Sequence, residues 1–483
     1  MIFNSLEFLV FFIAFFCIYW FVLGKNLRLQ NLFILFASYL FYAWVDYRLL
    51  SLLIGSSLAN YLLGMAIHRT QKEAPRKWLV VLGVTVNLGL LVYFKYFNFF
   101  ISSIISAFGA LDIQSGLSLL DIALPLGISF YTFRAISYLL DIDKGKMAPS
   151  HDPVIFFSYI AFFPSLMAGP IDRARTLIPQ LESKRVFNPA QAVDGLRQIL
   201  WGLFKKVVIA DNCAVFVTDI FDQFQVLPAS ALLVGAALYL IQIYADFAGY
   251  SDMAIGVARL IGFDVTKNFD FPLFSQNIAE FWRKWHISLT SWVTEYVFTP
   301  LSIKFRNLGN TGVIIAIFIN LVLIGLWHGA NWTYIVFGLI QGVYFIPLIL
   351  RGTMNKRKKL PKGKLLPPFG AFINILLTFF LVTISVIPVR SPNMSLAIDY
   401  VSRLFSWSIF SFPAISSDPE WAYTLLFIFI MLLVEWVNRD EDHGLAIGRV
   451  RSPVMRWAIY YLVILVVFVF GASSNSNFIY FQF

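Results

Sequence analysis

The chain has 483 residues, of which 59% are hydrophobic and only 13% are charged. Soluble domains carry about 25% charged and about 45–50% apolar residues, so this composition excludes a soluble globular enzyme, a disordered chain and a disulfide-stapled module. The formal charge of +10 comes from 37 Lys and Arg against 27 Asp and Glu, which we interpret as the basic bias of cytoplasmic loops and not as nucleic-acid binding. The class that remains is an all-α polytopic membrane protein.

Apolar segments recur along the whole chain and predict about 11–13 membrane spans. The first segment has no Lys or Arg ahead of it and no small-residue cleavage site, so we expect a span and not a cleaved signal peptide. The predicted spans are 5–23, 31–45, 49–67, 78–97, 122–140, 154–169, 198–220, 229–249, 312–328, 332–350, 369–389, 421–437 and 456–472.

Some predicted spans contain charged residues. Segment 122–140 includes Arg134, and segment 198–220 includes Lys205, Lys206 and Asp211. Lipid cannot satisfy such groups, so we expect these segments to be broken, re-entrant or packed inside the protein. Arg134 and Asp141 are seven residues apart and share a helix face, which predicts a structural ion pair.

Loop charges predict a topology. The basic loops at 24–30, 68–77 and 351–364 should be cytoplasmic. Counting spans from these loops places both termini outside the cell. We therefore predict one integral membrane domain over 1–471 and an extracytoplasmic tail over 472–483.

The segment 264–310 differs in composition from the apolar runs on either side, because it mixes charged and aromatic residues. Asn277 followed by Glu280 resembles a capping box and predicts the start of a helix. Aromatic residues then recur at spacings of four, seven and four, which predicts one amphipathic helix at the membrane interface. These aromatic residues are Phe281, Trp285, Trp292 and Tyr296.

Two of the five histidines belong to membrane-associated segments. His286 lies on the amphipathic helix, and His328 closes a long uncharged run. Gly325 and Gly329 flank His328 and permit a bend or a close backbone approach. A histidine in a membrane span is costly unless it is used or well paired. From the residues alone, a functional role and a hydrogen-bonded core role stay open for both histidines.

Other chemistries find little support. No HExxH or paired histidine spacing is present, so no metal site is predicted, and no GxSxG elbow, P-loop or GxGxxG after a strand occurs. Asp246 and Asp252 are six apart and do not share a helix face, whereas Asp252 and Arg259 are seven apart and predict a bridge. Ion-coupled transporters use intramembrane carboxylates of this kind, so a transporter stays an alternative.

Several blocks occur in a characteristic order: LPLGISFYTFRAISYLLD, FFPSLMAGPIDR, GLFKKVVIAD, YADFAGYSDMAIG, NFDFPLFSQNIAEFWRKWHISLTSW and GLWHGANWTYIVFG. They span about residues 30–350 and resemble the membrane-bound O-acyltransferase superfamily, in its bacterial alginate O-acetylase branch, and more distantly the teichoic-acid D-alanyl transferase. The resemblance implies a helical disc around a central transmembrane tunnel, with re-entrant and interfacial helices. It also implies that His328 is the essential histidine and His286 the second histidine of the bacterial branch.

The last residues give a second resemblance. Phe478, Tyr480 and Phe483 fit a Phe-x-Tyr-x-x-Phe pattern, which is similar to the acyl-relay tail of the small partner protein in D-alanylation. This resemblance implies that the Tyr480 hydroxyl takes the acyl group and passes it to an extracytoplasmic, esterase-like partner. Composition alone favours an interfacial aromatic belt, but the predicted outside location of Tyr480 supports the relay.

These expectations combine into a hypothesis of acyl transfer in the bacterial cytoplasmic membrane. Acetyl-CoA would be the cytoplasmic donor substrate, with no permanently bound cofactor, and a cell-surface or secreted polysaccharide the final acceptor. D-alanyl or other acyl transfer to teichoic acid or peptidoglycan is the alternative. His328 would act as general base, and His286 would orient it, polarise the acyl carbonyl or stabilise the oxyanion. Lys205, Lys206 and Arg283 are candidates for binding the donor phosphates.

Overall fold

The computed structural model describes residues 1–357, 360–361, 365–413, 415, 419–472 and 478–479. The chain groups into two compact units, Met1–Gly195 with Val257–Thr266, and Leu196–Gly256 with Lys267–Phe483. The single domain over 1–471 stays a prediction.

The described residues form helices and no strands. Helices of the first half are α1 Leu6–Cys17, α2 Leu27–Ala43, α3 Leu50–Arg69, α4 Glu73–Leu91, α5 Phe97–Gly109, α6 Ile128–Asp143, α7 Pro153–Ile160, α8 Phe163–Leu166, α9 Ala174–Glu182, α10 Pro189–Phe204, α11 Asp211–Asp222 and α12 Ala229–Leu260. Those that follow are α13 Ile278–Lys284, α14 Ile287–Val293, α15 Thr299–Lys304, α16 Gly309–His328, α17 Trp332–Leu350, α18 Phe369–Arg390, α19 Met394–Arg403, α20 Pro419–Val437 and α21 Pro453–Phe470.

Shorter helical segments interrupt or extend these helices. The π-helical segments are Ile18–Val22, Val92–Tyr96, Lys205–Ala210 and Thr294–Phe298. The 3₁₀ segments are Tyr47–Leu49, Pro272–Phe274, Arg306–Leu308 and Trp407–Phe410.

The protein is a multi-pass membrane protein, as its composition predicts. Within the described residues, eight helices are long and apolar enough to cross a membrane, and two shorter apolar helices precede them at Leu6–Val22 and Leu27–Ala43. Eight is fewer than the thirteen predicted segments, because five of these form shorter or interrupted helices. Segments 5–23 and 31–45 are the two shorter apolar helices, segment 122–140 forms the 16-residue α6, segment 154–169 forms two short helices, and segment 198–220 is interrupted by a π-helical turn. The eight are Tyr47–Arg69, Glu73–Gly109, Ala229–Leu260, Arg306–His328, Trp332–Leu350, Phe369–Arg390, Pro419–Val437 and Pro453–Phe470.

Helix α6 packs inside the first unit, as expected for an imperfect span, and nearly all of its residues are buried. The predicted Arg134–Asp141 ion pair is wrong. Arg134 donates to four backbone carbonyls and one serine hydroxyl of the 159–170 segment, whereas Asp141 pairs with Arg175 and Lys146. The arginine satisfies carbonyls left open where α7 and α8 end, which is a role that helix-face spacing does not reveal.

Candidate active site

The helix that carries His286 is broken at that residue. The predicted cap is confirmed, since Asn277 Oδ1 accepts the Glu280 N–H at 2.9 Å. The helix ends at Lys284, however, and His286 adopts a left-handed backbone with φ +44° before α14 begins at Ile287. The prediction of one continuous helix is therefore wrong.

The segment 268–270, which precedes α13 in the chain, holds this break open. The Asp270 N–H donates to the Lys284 carbonyl at 3.0 Å, and the Ile287 N–H donates to the Asn268 carbonyl at 2.8 Å. These bonds satisfy backbone groups that a continuous helix would pair internally. Trp285 is only 6% exposed, and Phe281 and Trp292 are buried as well, so these aromatic residues pack inside the protein and do not form an exposed stripe.

Asn268 fixes the tautomer of His286. Its Oδ1 accepts the Ser288 N–H at 3.3 Å and the Ser288 hydroxyl at 2.9 Å, and its Nδ2 donates to Ser251 at 2.9 Å. The backbone N–H can only donate, so Oδ1 must be the atom that faces His286 Nδ1 at 3.0 Å. Nδ1 therefore carries the proton, and in the neutral ring Nε2 is the basic nitrogen.

His286 is fully buried and outside the candidate membrane spans. Burial, with a smaller contribution from the nearby His328, holds the pKa of His286 well below its ordinary value. The ring is therefore neutral at physiological pH. The indole of Trp327 packs against both histidines, with ring centroids 5.2 Å from His286 and 5.0 Å from His328. The structure thus brings together the two histidines singled out in the sequence.

His328 is the last residue of α16. The predicted close approach at its flanking glycines is confirmed. A Cβ on Gly325 would lie 2.2 Å from the Tyr334 carbonyl oxygen, and one on Gly329 would lie 2.2 Å from the Tyr334 ring. Only glycine permits α17 to pack this tightly against the end of α16, and this packing holds His328 in place.

The half-buried His328 lines a small apolar cavity of about 40 Å³, which we call the His328 cavity. This is room for roughly three water molecules at about 10–15 Å³ each. Its lining residues are Leu240, Ile243, Phe281, Trp282, Trp285, His328, Phe337, Val382, Val386 and Val389.

A larger cavity of about 550 Å³, the Arg283 cavity, shares the wall residue Trp282 with the His328 cavity. Its other lining residues include Arg283, Met354 and Asn355, the last two from the segment after α17. The Trp282 indole donates to Gln341 Oε1 at 3.0 Å, which fixes the ring between the two cavities.

A third cavity, of about 480 Å³, shares Val389 with the His328 cavity. We call it the Asp246 cavity; Asn331 and Thr333 at the start of α17 also line it. Helix α17 has 19 residues, so its ends are about 28 Å apart at ~1.5 Å per residue. The Arg283 and Asp246 cavities thus lie near opposite ends of one membrane-spanning helix, and each adjoins the His328 cavity.

Lys205 and Lys206 are buried in ion pairs with the protein's own carboxylates. Lys205 Nζ lies 2.6 Å from Asp252 and 3.7 Å from Glu435, and Lys206 Nζ lies 2.8 Å from Asp211 and 2.7 Å from Asp246. Neither lysine lines the Arg283 cavity, so both lie apart from the cavity that suits the donor.

The predicted Asp252–Arg259 bridge is likewise wrong. Asp252 accepts from Lys205 and from Gln198, and Arg259 pairs with Asp194 at 2.6 Å. Lys205, on a neighbouring helical segment, reaches Asp252. Spacing along one helix cannot predict this tertiary contact.

The C-terminal tail is described at two positions. Phe478 is 2% exposed and Ile479 is 9% exposed, so both are buried within the second unit. Tyr480 and Phe483, the other residues of the predicted relay motif, lie outside the described residues. Within the part of the chain that the structure describes, no group of three or more His, Cys, Asp or Glu residues could hold a metal ion.

Comparison with known proteins decides the family. The model of the MBOAT, membrane-bound O-acyltransferase family, matches residues 147–387, which include both histidines and most of the cavity walls. The chain is 37% identical to the probable alginate O-acetylase AlgI of Pseudomonas aeruginosa over 413 residues, 84% of this chain and 75% of that protein. The chain belongs to the membrane-bound O-acyltransferase family.

Two further relatives show the breadth of this family around the chain. The peptidoglycan O-acetyltransferase of Helicobacter pylori is 31% identical over 95% of this chain and 93% of its own length. The teichoic acid D-alanyltransferase of Streptococcus thermophilus is 31% identical over 53% of this chain and 67% of its own length. The protein is accordingly an O-acyltransferase, and the transporter alternative falls away.

Asn268 and Trp282 belong to the candidate site, and sequence reasoning missed both. Both lie in the block NFDFPLFSQNIAEFWRKWHIS that carries the family resemblance. That block was the available signal, but nothing in it shows that Asn268 faces His286 or that Trp282 separates two cavities.

Replacing Asn268 by alanine is expected to lower the rate of acyl transfer by about tenfold to a hundredfold. The change removes the acceptor that holds the His286 tautomer, and orienting partners of this kind typically contribute that much in metal sites. Initial rates with saturating donor measure the effect. Asn87→Ala is the matched control, since Asn87 is a buried amide that pairs with Asn60. Equal rates for the two variants at equal thermal stability would contradict the positioning role.

Proposed function

We propose that the protein is a membrane O-acetyltransferase that takes an acetyl group from acetyl-CoA on the cytoplasmic side and delivers it to an extracytoplasmic acceptor. The observation that carries this proposal is the position of His328, in a small cavity that adjoins one larger cavity toward each end of α17. A donor and an acceptor can therefore approach the same residue from opposite sides. The alginate and peptidoglycan O-acetylating relatives support an acetyl group and a polysaccharide as final acceptor.

The donor side is assigned from charge. Segment 351–357 contributes Met354 and Asn355 to the Arg283 cavity, and it begins the most basic loop of the chain, which the positive-inside bias places in the cytoplasm. Arg283 also lines a neighbouring cavity of about 380 Å³, where four cationic side chains face three carboxylates. Those residues are Arg283, Lys284, Arg357, Arg439, Asp270, Glu280 and Asp440. An excess of cations beside a roomy cavity suits the phosphates of coenzyme A.

Replacing Arg283 by alanine is expected to raise the KM for acetyl-CoA about tenfold, with little change in kcat, because the guanidinium would bind the donor phosphates and not the reacting carbonyl. Arg306→Ala is the matched control, an exposed arginine outside the cavity lining. Steady-state kinetics with varied donor measure both constants. A fall in kcat at unchanged KM would contradict the assignment of Arg283 to donor binding.

The His328 cavity favours a small, uncharged acyl group. Its volume of about 40 Å³ suits a two-carbon chain and is too small for a fatty acyl chain. Its walls are mainly Leu, Ile, Val and aromatic side chains, where the ammonium of a D-alanyl group would lose its hydration without gaining a partner. These properties support acetyl over D-alanyl transfer.

The transfer step follows from the placement of the histidines. His328 accepts the proton of the incoming hydroxyl as its oxygen attacks the thioester carbonyl. A C–O bond forms, the C–S bond breaks, and the thiolate leaves and takes the proton back from His328. Neutral His286, held by Asn268, packs with His328 on Trp327 and fixes the geometry of this step.

The acceptor side is assigned to the Asp246 cavity. The protein would lie in the cytoplasmic membrane of a bacterium, with both of its termini on the extracytoplasmic side. Ile479 lines this cavity, so the next residue, Tyr480, is the first candidate for the acceptor hydroxyl. An esterase-like extracytoplasmic partner would move the acetyl group from Tyr480 to the polysaccharide.

The test uses acetyl-CoA labelled in the acetyl group, mixed with the purified protein, its extracytoplasmic partner and a polysaccharide acceptor. The proposal predicts labelled polysaccharide that releases acetate on mild base treatment. Absence of label from both the protein and the polysaccharide, with a folded protein, would overturn it.

A further inference from the structure

The C-terminal tail of the second unit returns to a buried ion pair. Phe478 lies edge-to-face against Tyr250, with ring centroids 4.7 Å apart. Lys206 Nζ lies 4.3 Å from the centre of the Phe478 ring, within the distance of a cation–π contact. The Phe478 ring thus contacts both another aromatic ring and a cation.

The backbone of the tail is bound as well. The Ile479 N–H donates to Asp246 Oδ2 at 2.9 Å, while Asp246 Oδ1 accepts from Lys206 at 2.7 Å. Asp246 is 2% exposed, so the bond forms between a backbone donor and a carboxylate withdrawn from water. Charge-assisted bonds of this kind are about twice as strong as neutral ones.

The start of the tail is anchored to the same region. The Ala472 N–H donates to the Val207 carbonyl at 3.0 Å, and Asn212 Nδ2 donates to the Phe470 carbonyl at 2.9 Å. Val207 lies in the π-helical turn Lys205–Ala210, which also carries Lys206. A π-helical turn leaves backbone carbonyls outside the regular α-helical ladder, and here one of them receives the tail.

A pair of glycines allows helices α10 and α12 to approach each other closely. A Cβ on Gly202 would lie 2.5 Å from the Gly249 carbonyl oxygen, and one on Gly249 would lie 2.7 Å from that of Gly202. This contact between α10 and α12 places Lys206 within reach of Asp246. The close approach of these two helices therefore brings the two members of the ion pair together.

We infer that the Lys206–Asp246 pair, with Tyr250, is a docking site for the C-terminal tail and positions Tyr480 at the acceptor side of the active site. The inference rests on the proposed function for the role of Tyr480. Docked at Phe478 and Ile479, the tail has one residue at the wall of the Asp246 cavity, which adjoins the His328 cavity through Val389. Lys206 and Asp246 are positioning residues in this scheme and do not touch the reacting atoms.

Replacing Ile479 by proline tests the docking site without altering the ion pair. Proline removes the N–H that donates to Asp246, whereas the control Ile479→Val keeps that N–H and an apolar side chain. Acetylation of Tyr480, followed by peptide mass spectrometry with labelled acetyl-CoA, is expected to slow at least tenfold for I479P and to stay within twofold of the native rate for I479V. Equal rates for I479P and the native chain would overturn the positioning role.

Photocrosslinking separates a failure of docking from a failure of the relay. With p-benzoylphenylalanine in place of Phe478 in the full chain, we expect a crosslink to the 246–250 segment, whether or not Tyr480 accepts an acetyl group. The added Ile479→Pro change should reduce this crosslink at least fivefold. A crosslink that forms without any acetylation of Tyr480 would support docking and reject the relay. Absence of the crosslink in a folded protein would overturn the docking site itself.

Discussion

Replacement of His328 by alanine is expected to reduce acyl transfer by about 10²–10⁴-fold, the range that a positioned general base contributes. His328 lines the small cavity that adjoins both larger ones, so its ring is where a thioester and a hydroxyl would meet. Alanine leaves no group in the cavity to accept the hydroxyl proton. Single-turnover transfer from labelled acetyl-CoA to the acceptor measures the loss directly.

The matched control is His443→Ala, which removes a buried histidine of the same unit that does not line the His328 cavity. His443→Ala should keep the native transfer rate within a few-fold, at whatever cost in thermal stability. If His328→Ala retains full transfer in a protein that elutes and melts like the native one, His328 is not the base.

Replacement of Tyr480 by phenylalanine is expected to reduce O-acetylation of the polysaccharide to the background of the reaction without enzyme. The change removes one hydroxyl and leaves the aromatic ring, so a role in packing or at the membrane interface would survive it. In the proposed relay the hydroxyl oxygen is the atom that accepts the acetyl group. Acetate released from the washed polysaccharide by mild base measures the effect.

The control for this change is Tyr461→Phe, which removes a hydroxyl from an exposed tyrosine of α21. That variant should acetylate the polysaccharide as the native chain does. Persistent polysaccharide acetylation by Tyr480→Phe would show that the acyl group passes directly to a sugar hydroxyl and would remove the relay from the mechanism.

Composition and apolar run lengths were enough to predict the membrane class and most of the long spans. They failed where a helix depends on distant contacts. The break at His286 is held by backbone bonds from Asn268 and Asp270, and no local signal near His286 separates a broken helix from a continuous one. Arg134 shows the same limit, because its partners are carbonyls of another segment and not the carboxylate one helix face away.

The site itself was predictable in part. The order of sequence blocks pointed to His286 and His328, and the structure places both against Trp327; their catalytic roles stay predictions. The location of Arg283 in a cavity beside the basic loop fits its predicted use. Lys205 and Lys206 show why charge alone is a weak guide to donor binding, since their carboxylate partners come from other helices.

The tail shows how packing changes the interpretation of a motif. Composition alone favours a location of Phe478 in an aromatic belt at the membrane surface. In the structure it is enclosed by Tyr250 and Lys206, which a surface belt would not require. This burial is the physical reason to treat the tail as part of the active-site region and to test it as such.

The most direct test of the account is a sided transfer experiment. The protein is reconstituted in sealed vesicles, labelled acetyl-CoA is supplied only at the face that carries residues 351–364, and label on the C-terminal tail is measured at the opposite face. The account predicts label on Tyr480 from this arrangement, its loss in His328→Ala, and none when the donor is supplied only at the face of the tail. Equal labelling from either face, or labelling that survives the loss of His328, would contradict transfer through the His328 cavity.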